Sequence, residues 1–147
     1  MSILIIGYKR SNEIKRVIEK VSKLRPKKLY LAMDGPKDSK SNQLCFKARE
    51  TALKSISWNC EIKTNFSEEN KGLKEFILTS IDWFFNYEKE GLILEDDILI
   101  HTEFTNFARN FIHKKNIGCI SACTFDSYLK SNQRNPNYTF LSKIPSI

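Results

Sequence analysis

Apolar residues in this chain follow two patterns, short continuous runs and longer stretches in which they return every three or four positions. A short apolar run closed by turn residues is typical of a strand that a parallel sheet buries on both faces. The runs predict five strands, the third weaker than the others, at 3–6, 29–33, 60–64, 91–94 and 117–123.

Stretches with helical spacing separate these runs. The first begins after Ser11 or Asn12, either of which can cap it, and ends before Pro26. The remaining stretches lie at 42–55, 73–85 and 104–112. Strands that alternate with helices in this way predict an α/β fold, a largely parallel sheet flanked by helices, of the order β-α-β-α-β-α-β-α-β. The tail from 126 to 147 has no clear period.

The segment LILEDDILI, residues 92–100, places Glu95, Asp96 and Asp97 directly after an apolar strand. Ionised carboxylates are costly to take out of water, so three adjacent acids inside an apolar run need partners. A hard divalent cation is one such partner, because it prefers oxygen ligands and shares its shell with waters or substrate phosphates. The alternative is a surface turn with solvated acids, against which the apolar flanks argue.

Other candidate residues follow the first two predicted strands. Tyr8 and Arg10 come after the first strand, and Asp34 comes after the second. Ligands of open α/β sheets bind beyond the carboxyl ends of the strands, so we expect these residues and the acids at 95–97 on one rim. A tyrosine at this position is suited to stacking against a nucleobase.

Three other folds with acids at strand ends fit the sequence less well. A Walker B strand accompanies a GxxxxGK[ST] loop, whereas the first strand here leads into GYKRSN. A receiver domain has its acidic pair on the first strand, which here carries Lys9 and Arg10. Sugar-activating nucleotidyltransferases have a glycine-rich, arginine-containing loop after that strand, which this sequence lacks. The pattern favours a metal-bridged nucleotide diphosphate bound without a glycine cradle.

Several segments occur in a specific order: ILIIGYKR, YLAMDGP, ENKGL before SIDWFF, and GLILEDDILI before FTNFARNF. In that order they resemble the GT-A fold glycosyltransferases, in particular the N-acetylglucosaminyltransferase I type and family 2-like enzymes. The resemblance covers nearly the whole chain. It implies a Rossmann-like donor-binding half that binds a nucleotide-diphosphate sugar and transfers the sugar to a hydroxyl of a glycan or lipid-linked glycan.

The acidic triplet corresponds to the DxD element of these enzymes in its EDD form. The resemblance implies that Asp97 binds Mn²⁺ or Mg²⁺, and that Glu95 and Asp96 contact the sugar and ribose of the donor. A divalent cation in this place would neutralise the diphosphate leaving group as the glycosidic bond breaks.

The resemblance also gives roles to residues outside the triplet. Asp34 corresponds to the acid that accepts a hydrogen bond from the nucleotide base. Arg10 corresponds to a basic residue near the base and the diphosphate, where charge-assisted hydrogen bonds are favourable. Lys71 and Gly72 match the donor-binding turn, more weakly.

The sequence departs from the family pattern in its catalytic base. An inverting transferase needs a carboxylate that deprotonates the acceptor hydroxyl, and only Glu103 and Asp126 follow Asp97. Glu103 fits a helix first turn, and Asp126 is a poorly supported base. The family base lies in a further, acceptor-binding half. We therefore expect residues 1–147 to be a single but incomplete nucleotide-sugar-binding domain.

The overall composition suits one globular domain. The 147 residues are 41% hydrophobic and 28% charged. No apolar run approaches the roughly 18 residues of a membrane span, and the start lacks the features of a signal peptide. A cytoplasmic location is therefore expected, and contact with the surface of a membrane is compatible with it.

The positive charge is unevenly distributed. Residues 1–50 contain 13 Lys and Arg against 5 Asp and Glu, a balance of +8, whereas 51–147 have a balance of −1. A solvated lysine-rich face explains this, and so does attraction to phosphates, an acidic membrane surface or nucleic acid. The alternative function is thus a non-catalytic basic module that binds polyanions, nucleic acid or a protein partner. No nucleic-acid motif is visible, so nucleic acid is the less favoured ligand.

Overall fold

The computed structural model describes residues 1–111, 118–121 and 139–141. The chain divides into two compact units, Met1–Ile100 and His101–Ile147. The first contains β1 (Ser2–Gly7), α1 (Ser11–Val21), β2 (Lys28–Met33), α2 (Ser39–Lys54), β3 (Glu61–Phe66), α3 (Leu73–Phe85) and β4 (Gly91–Glu95). The second contains α4 (Thr102–Phe111), β5 (Cys119–Ser121) and β6 (Thr139–Leu141).

The first unit is built on a four-stranded, all-parallel sheet of order β3-β2-β1-β4. The predicted α/β class with a parallel sheet and flanking helices is therefore confirmed. The chain runs outward from β1 to β3 and then returns past β1 to β4. Because such crossovers are right-handed, α1 and α2 cover one face of the sheet and α3 covers the other.

The central strands carry most of the core. In β1 and β2, five of the six residues are buried on each strand, as the continuous apolar runs predict. The edge strands differ. In β3, Ile62 is exposed, which fits its weaker apolar pattern. In β4, only Leu94 is buried although the strand is as apolar as β1.

The face under α3 holds an aromatic cluster. Tyr30 is fully buried, and its ring meets Trp83 and Phe84 edge to face at centroid distances of 5.4 and 4.9 Å. Leu73 and Phe85 share the helical period of the apolar stripe but are 76% and 46% exposed. The shared helical period therefore does not place them in the core; Leu73 is the first residue of α3 and Phe85 is the last.

The first two helices begin differently from the sequence expectation. Ser11 is the first residue of α1, and Arg10 precedes it without a side-chain cap, so the predicted capping by Ser11 or Asn12 is wrong. Helix α2 begins before the predicted position 42 because Asp38 and Ser41 form a capping box. The Asp38 carboxylate accepts the Ser41 N–H at 2.7 Å, and the Ser41 hydroxyl accepts the Asp38 N–H at 3.0 Å.

In the second unit, α4 forms where a helix was expected, but the predicted fifth strand does not extend the parallel sheet. Its described part, β5, pairs with β6 in a separate two-stranded antiparallel sheet. A short apolar run does not specify the direction of its partner strand, and β6 arises from the tail that shows no period. The parallel fifth strand is therefore a wrong prediction.

A polar cluster closes the amino-terminal end of the sheet, opposite the predicted site. Glu88 accepts hydrogen bonds from the Tyr30 hydroxyl at 2.6 Å and from Lys28 Nζ at 2.9 Å. Burial raises the pKa of Glu88, but the hydrogen bonds from Tyr30, Lys28 and Ser2 outweigh it, and the net effect lowers the pKa below its ordinary value of 4.5. The ionised carboxylate therefore stabilises the fold.

We expect Glu88 to make stability depend on pH. A lowered pKa in the folded state contributes stability that is present above about pH 4.5 and is lost as the pH falls through the folded-state pKa. The Glu88→Gln variant should lose about 1.5–3 kcal/mol at pH 7, the value of hydrogen bonds to a charged group. Urea unfolding of both proteins from pH 7 to pH 3 measures the difference, which should shrink in acid. Glu50→Gln, at an exposed pair with Lys54, is the control.

A stability difference between wild type and Glu88→Gln that stays constant over this pH range would contradict the assignment of the ionised form.

Candidate functional site

The candidate site lies at the carboxyl ends of β1 and β4. These strands are neighbours in the sheet, and the strand order reverses between them. Open α/β sheets bind ligands beyond the carboxyl ends of their strands, at the point where the strand order reverses. Residues 8–10 follow β1 at this point, and residues 95–97 close β4.

The acidic triplet forms the turn that leaves β4. Glu95 is the last residue of the strand and lies beside Ile6 of β1. The Ile98 N–H donates to the Glu95 carbonyl at 3.1 Å and closes the turn. Asp96 is only 2% exposed, whereas Glu95 and Asp97 are exposed. The three acids therefore differ in environment, and only Asp96 needs partners from the protein.

Those partners come from the end of β1. The Tyr8 N–H donates to Asp96 Oδ2 at 3.2 Å, and Arg10 Nη2 donates to Asp96 Oδ1. The other terminal nitrogen of the same guanidinium, Nη1, donates to Asp97 Oδ2 at 2.8 Å. The hydrogen bond to Asp96 is the main cause that raises the pKa of Arg10 above its ordinary value. Arg10 thus joins two adjacent carboxylates with one planar fork.

Asp34 organises a second part of the rim, beyond β2. Its carboxylate is buried and accepts the N–H groups of Gly35 at 2.8 Å and Lys71 at 3.0 Å on Oδ1. Asn70 Nδ2 donates to Oδ2 at 2.9 Å and also to the Gly35 carbonyl at 2.8 Å. The turn after β2 is therefore fastened to the loop before α3. The contact from Lys71 is made by its backbone, while its side chain is exposed.

Two glycines allow this arrangement. A Cβ on Gly35 would overlap the backbone of Glu69, so only glycine permits the two loops to approach this closely. Gly72 has φ +80°, a backbone conformation that L side chains rarely adopt. It stands directly before α3, and its carbonyl accepts the Phe76 N–H at 2.9 Å. Gly72 therefore sets the direction in which the chain enters α3.

Tyr8 connects the two parts of the rim. The Lys37 N–H donates to its phenol oxygen at 3.3 Å, and Lys9 Nζ lies 5.2 Å from the ring centroid. The Asp34 N–H donates to the Gly7 carbonyl at 3.0 Å, directly before Tyr8. Half-buried Tyr8 thus contacts the Asp96 side of the rim through its backbone N–H and the loop after Asp34 through its hydroxyl.

The predicted convergence on one rim is thus confirmed for five residues. Tyr8, Arg10, Asp96 and Asp97 are in direct contact, and Asp34 lies one strand away. Lys71 and Gly72 reach the rim through the loop that Asp34 holds. Glu95 is exposed at the end of β4. The proposed base, Asp126, lies outside the described residues.

Two residues of the rim carry no signal in the apolar pattern. In the sequence Asn70 cannot be distinguished from other turn asparagines, although its side chain donates a hydrogen bond to Asp34. Arg49 of α2 is equally inconspicuous, yet its Nη2 donates to the carbonyls of Met33, Asp34 and Ser67 at 3.4, 3.1 and 2.5 Å. It thereby satisfies carbonyls at the ends of β2 and β3. These roles become visible only in the structure, where the strand register shows that both residues lie beside a strand end.

The exposed carboxylates of the rim, Glu95 and Asp97, are hard oxygen donors of the kind that a divalent cation prefers. Within residues 1–111, 118–121 and 139–141, no three His, Cys, Asp or Glu side chains are grouped to hold a metal. The exposed carboxylate of Asp97 supplies hard oxygen atoms, whereas Asp96 has both oxygens engaged. One or two carboxylates combined with phosphate oxygens and water are a usual environment of Mg²⁺.

No protein-family model, curated protein or solved structure matches the chain. A functional assignment therefore rests on the residues of the rim and their geometry. Along the described ranges, no helix combines the length and the apolar character that crossing a membrane requires. The expected ligands and partners stay predictions.

We expect the hydrogen bonds from Asn70 to hold the loop before α3 against the turn that contains Asp34. Asn70→Ala leaves Asp34 Oδ2 without this donor and should cost about 1–3 kcal/mol of unfolding free energy. Asn70→Asp should cost more, because it places a second negative charge against Asp34. Chemical denaturation at pH 7 measures both. Asn59→Ala, in an exposed loop, is the matched control and should have little effect. Equal stability of Asn70→Asp and wild type would refute this role.

Proposed function

We propose that this chain binds a nucleotide-diphosphate sugar together with Mn²⁺ or Mg²⁺ and belongs to an enzyme that transfers the sugar to an acceptor hydroxyl. The observation that carries the proposal is the Arg10 fork on Asp96 and Asp97 at the point where the strand order reverses. The guanidinium of an arginine can form hydrogen bonds with a diphosphate. Exposed acids beside it can bind a divalent metal ion that also contacts the diphosphate.

In this proposal Asp97 holds the divalent cation, and Glu95, exposed at the same turn, faces the sugar. When bound, the cation neutralises the charge that develops on the diphosphate as the glycosidic bond breaks. The role of Asp96 in this proposal differs from the role that the family resemblance implies. Both of its oxygens are engaged by Tyr8 and Arg10, which suits an acid that orients the guanidinium rather than one that contacts the ribose.

The Asp34 side of the rim suits the nucleotide base. An ionised carboxylate offers about four acceptor positions, of which the donors from Gly35, Asn70 and Lys71 use three. One position is left for an N–H of a base edge, as in uracil or guanine. The neighbouring ring of Tyr8 provides an apolar surface against which a base can stack.

The charge around the rim favours an anionic ligand. Lys9, Lys37 and Lys71 are exposed on the loops that leave β1, β2 and β3. Residues 1–50, which supply the first two of these loops, carry a balance of +8. A cleft with this sign of charge raises the local concentration of phosphorylated ligands and the rate at which they associate.

The proposal predicts metal-dependent nucleotide binding. Calorimetric titration with UDP and with GDP should give measurable affinity for at least one of them in Mn²⁺ and at least tenfold weaker binding in EDTA, a difference of about 1.4 kcal/mol. Asp97→Asn should lose most of the metal-dependent gain. Asp82→Asn, which removes an exposed acid from α3, is the matched control and should bind as wild type.

The opposite result points to the alternative function. A non-catalytic basic module would bind generic polyanions with a steep dependence of log K on log salt concentration, and free UDP would not displace them. The uneven charge favours this alternative. Binding of neither UDP nor GDP in Mn²⁺, or unchanged binding by Asp97→Asn, would overturn the transferase proposal.

A further inference from the structure

The outer edge of β3 is open to a further strand. Within the described part of the chain, β3 pairs with β2 alone and ends the sheet. The N–H groups of Glu61 and Ser67 donate to backbone carbonyls on the β2 side at 2.9 and 3.0 Å. Backbone groups of successive strand residues point to opposite sides, so those of Ile62, Thr64 and Phe66 point away from β2. Such a row of outward N–H and C=O groups is a template for strand pairing.

Apolar side chains border this edge on the face of the sheet that α2 covers. Ile62, on the same face of β3 as Phe66, is 41% exposed. Phe46 and Leu53 of α2 are 68% and 42% exposed. They lie three residues before and four residues after Arg49, on one side of the helix. That side faces β3, because the guanidinium carbon of Arg49 lies 5.2 Å from the Phe66 ring centroid.

The opposite face of the same edge carries two charges of opposite sign. Glu61 and Lys63 flank Ile62 in β3 and therefore point to the face that α3 covers. Lys63 Nζ lies 4.5 Å from the ring centroid of Tyr87, which follows α3, and 3.6 Å from Glu61 Oε1. Both charged side chains are partly exposed, so they remain accessible to a neighbouring strand.

These charges distinguish between the ways in which a second copy of β3 can pair with this edge in an antiparallel, two-fold arrangement. Pairing centred on Glu61 or on Lys63 places like charges directly opposite each other, which is destabilising. Pairing centred on Thr64 places Lys63 opposite the neutral Asn65. Pairing centred on Ile62 places Glu61 of each copy opposite Lys63 of the other. The edge is therefore self-complementary in charge when Ile62 lies at the centre.

We propose that this chain forms a symmetric dimer through β3, in antiparallel pairing centred on Ile62. A two-fold interface uses the same surface of both copies, so each favourable contact occurs twice. Ile62 packs against its counterpart, and the apolar sides of the two α2 helices, with Phe46 and Leu53, approach each other on the same face. Burial of this apolar surface favours association. The backbone hydrogen bonds and the charge pairs fix the register.

The dimer goes beyond the proposed function and does not depend on it. Strand β2 separates β3 from β1, and the rim at β1 and β4 takes no part in the pairing. The two four-stranded sheets join into one continuous sheet. Because the strands of the two copies run in opposite directions, the two rims lie at opposite ends of the dimer.

Sedimentation equilibrium of the full chain, from micromolar to submillimolar concentration, tests the association. The wild type should show a reversible equilibrium between monomer and dimer. Ile62→Lys should weaken the dimer at least about tenfold, because it brings two positive charges together at the two-fold axis. Leu78→Lys adds the same charge at a similarly exposed position of α3, 48% against 41%, and is the matched control. Circular dichroism checks that each variant is folded.

A charge exchange tests the pairing of Glu61 with Lys63. Glu61→Lys alone places like charges opposite each other twice and should weaken the dimer roughly fivefold. Adding Lys63→Glu to this variant restores opposite charges with their positions exchanged. The double variant should therefore recover the affinity of the wild type to within about twofold.

Cross-linking tests the register. In a hydrogen-bonded antiparallel pair the opposed Cα atoms lie about 5.5 Å apart, within the range of a disulfide. Ile62→Cys, in a Cys60→Ser background, should therefore give a covalent dimer on mild oxidation. Thr64→Cys in the same background is the reference and should not, because the two Thr64 positions lie on opposite sides of the centre.

Each result bears on the dimer. A monomer at every concentration, an unchanged dimer in Ile62→Lys, or no recovery in the double charge variant would contradict the proposal. Cross-linking through Thr64→Cys in preference to Ile62→Cys would do the same. Titration of Ile62→Lys with UDP and GDP in Mn²⁺ should match the wild type, so failure of the dimer and failure of the proposed function are separate outcomes.

Discussion

The buried carboxylate of Asp96 is the constraint on which the candidate site depends. An ionised acid at 2% exposure is tolerable only with donors around it, and the end of β1 supplies them. Satisfying Asp96 fixes the backbone at Tyr8 and the guanidinium of Arg10, and the same guanidinium reaches Asp97. One buried charge thereby joins the loops that leave two neighbouring strands.

The Asp34 side of the rim repeats this construction with neutral donors. Asp34 accepts hydrogen bonds from Gly35, Asn70 and Lys71, two of them from backbone N–H groups. Backbone donors have no rotamers to lose, so the turn after β2 and the loop before α3 are held with little side-chain ordering. Around Arg10, by contrast, the contacts are between charged side chains. The rim thus combines a side held by backbone and amide donors with one held by ion pairs between side chains.

The sequence predicts the parts of the fold that periodicity controls. The four parallel strands, the helices between them and the convergence of Arg10 with the acids at 95–97 follow from apolar runs and the rule for strand ends. The start of α2, the direction of β5 and the role of Asn70 do not. They depend on a capping box, on a partner strand in an unpatterned tail and on a hydrogen bond between loops. Such contacts leave no period in the sequence, because each involves one or two residues.

The span between Arg10 and Asp96 has a consequence for synthesis of the chain. These residues are 86 positions apart, and β4 is the last strand of its sheet to be made. At translation rates of about 5–20 residues per second, Arg10 waits roughly 4–17 seconds for its carboxylate. During that interval β1 and β2 can already pair on the nascent chain, while neither carboxylate partner of Arg10 has been made. The arrival of β4 therefore completes both the sheet and the ion pairs of its rim in the same event.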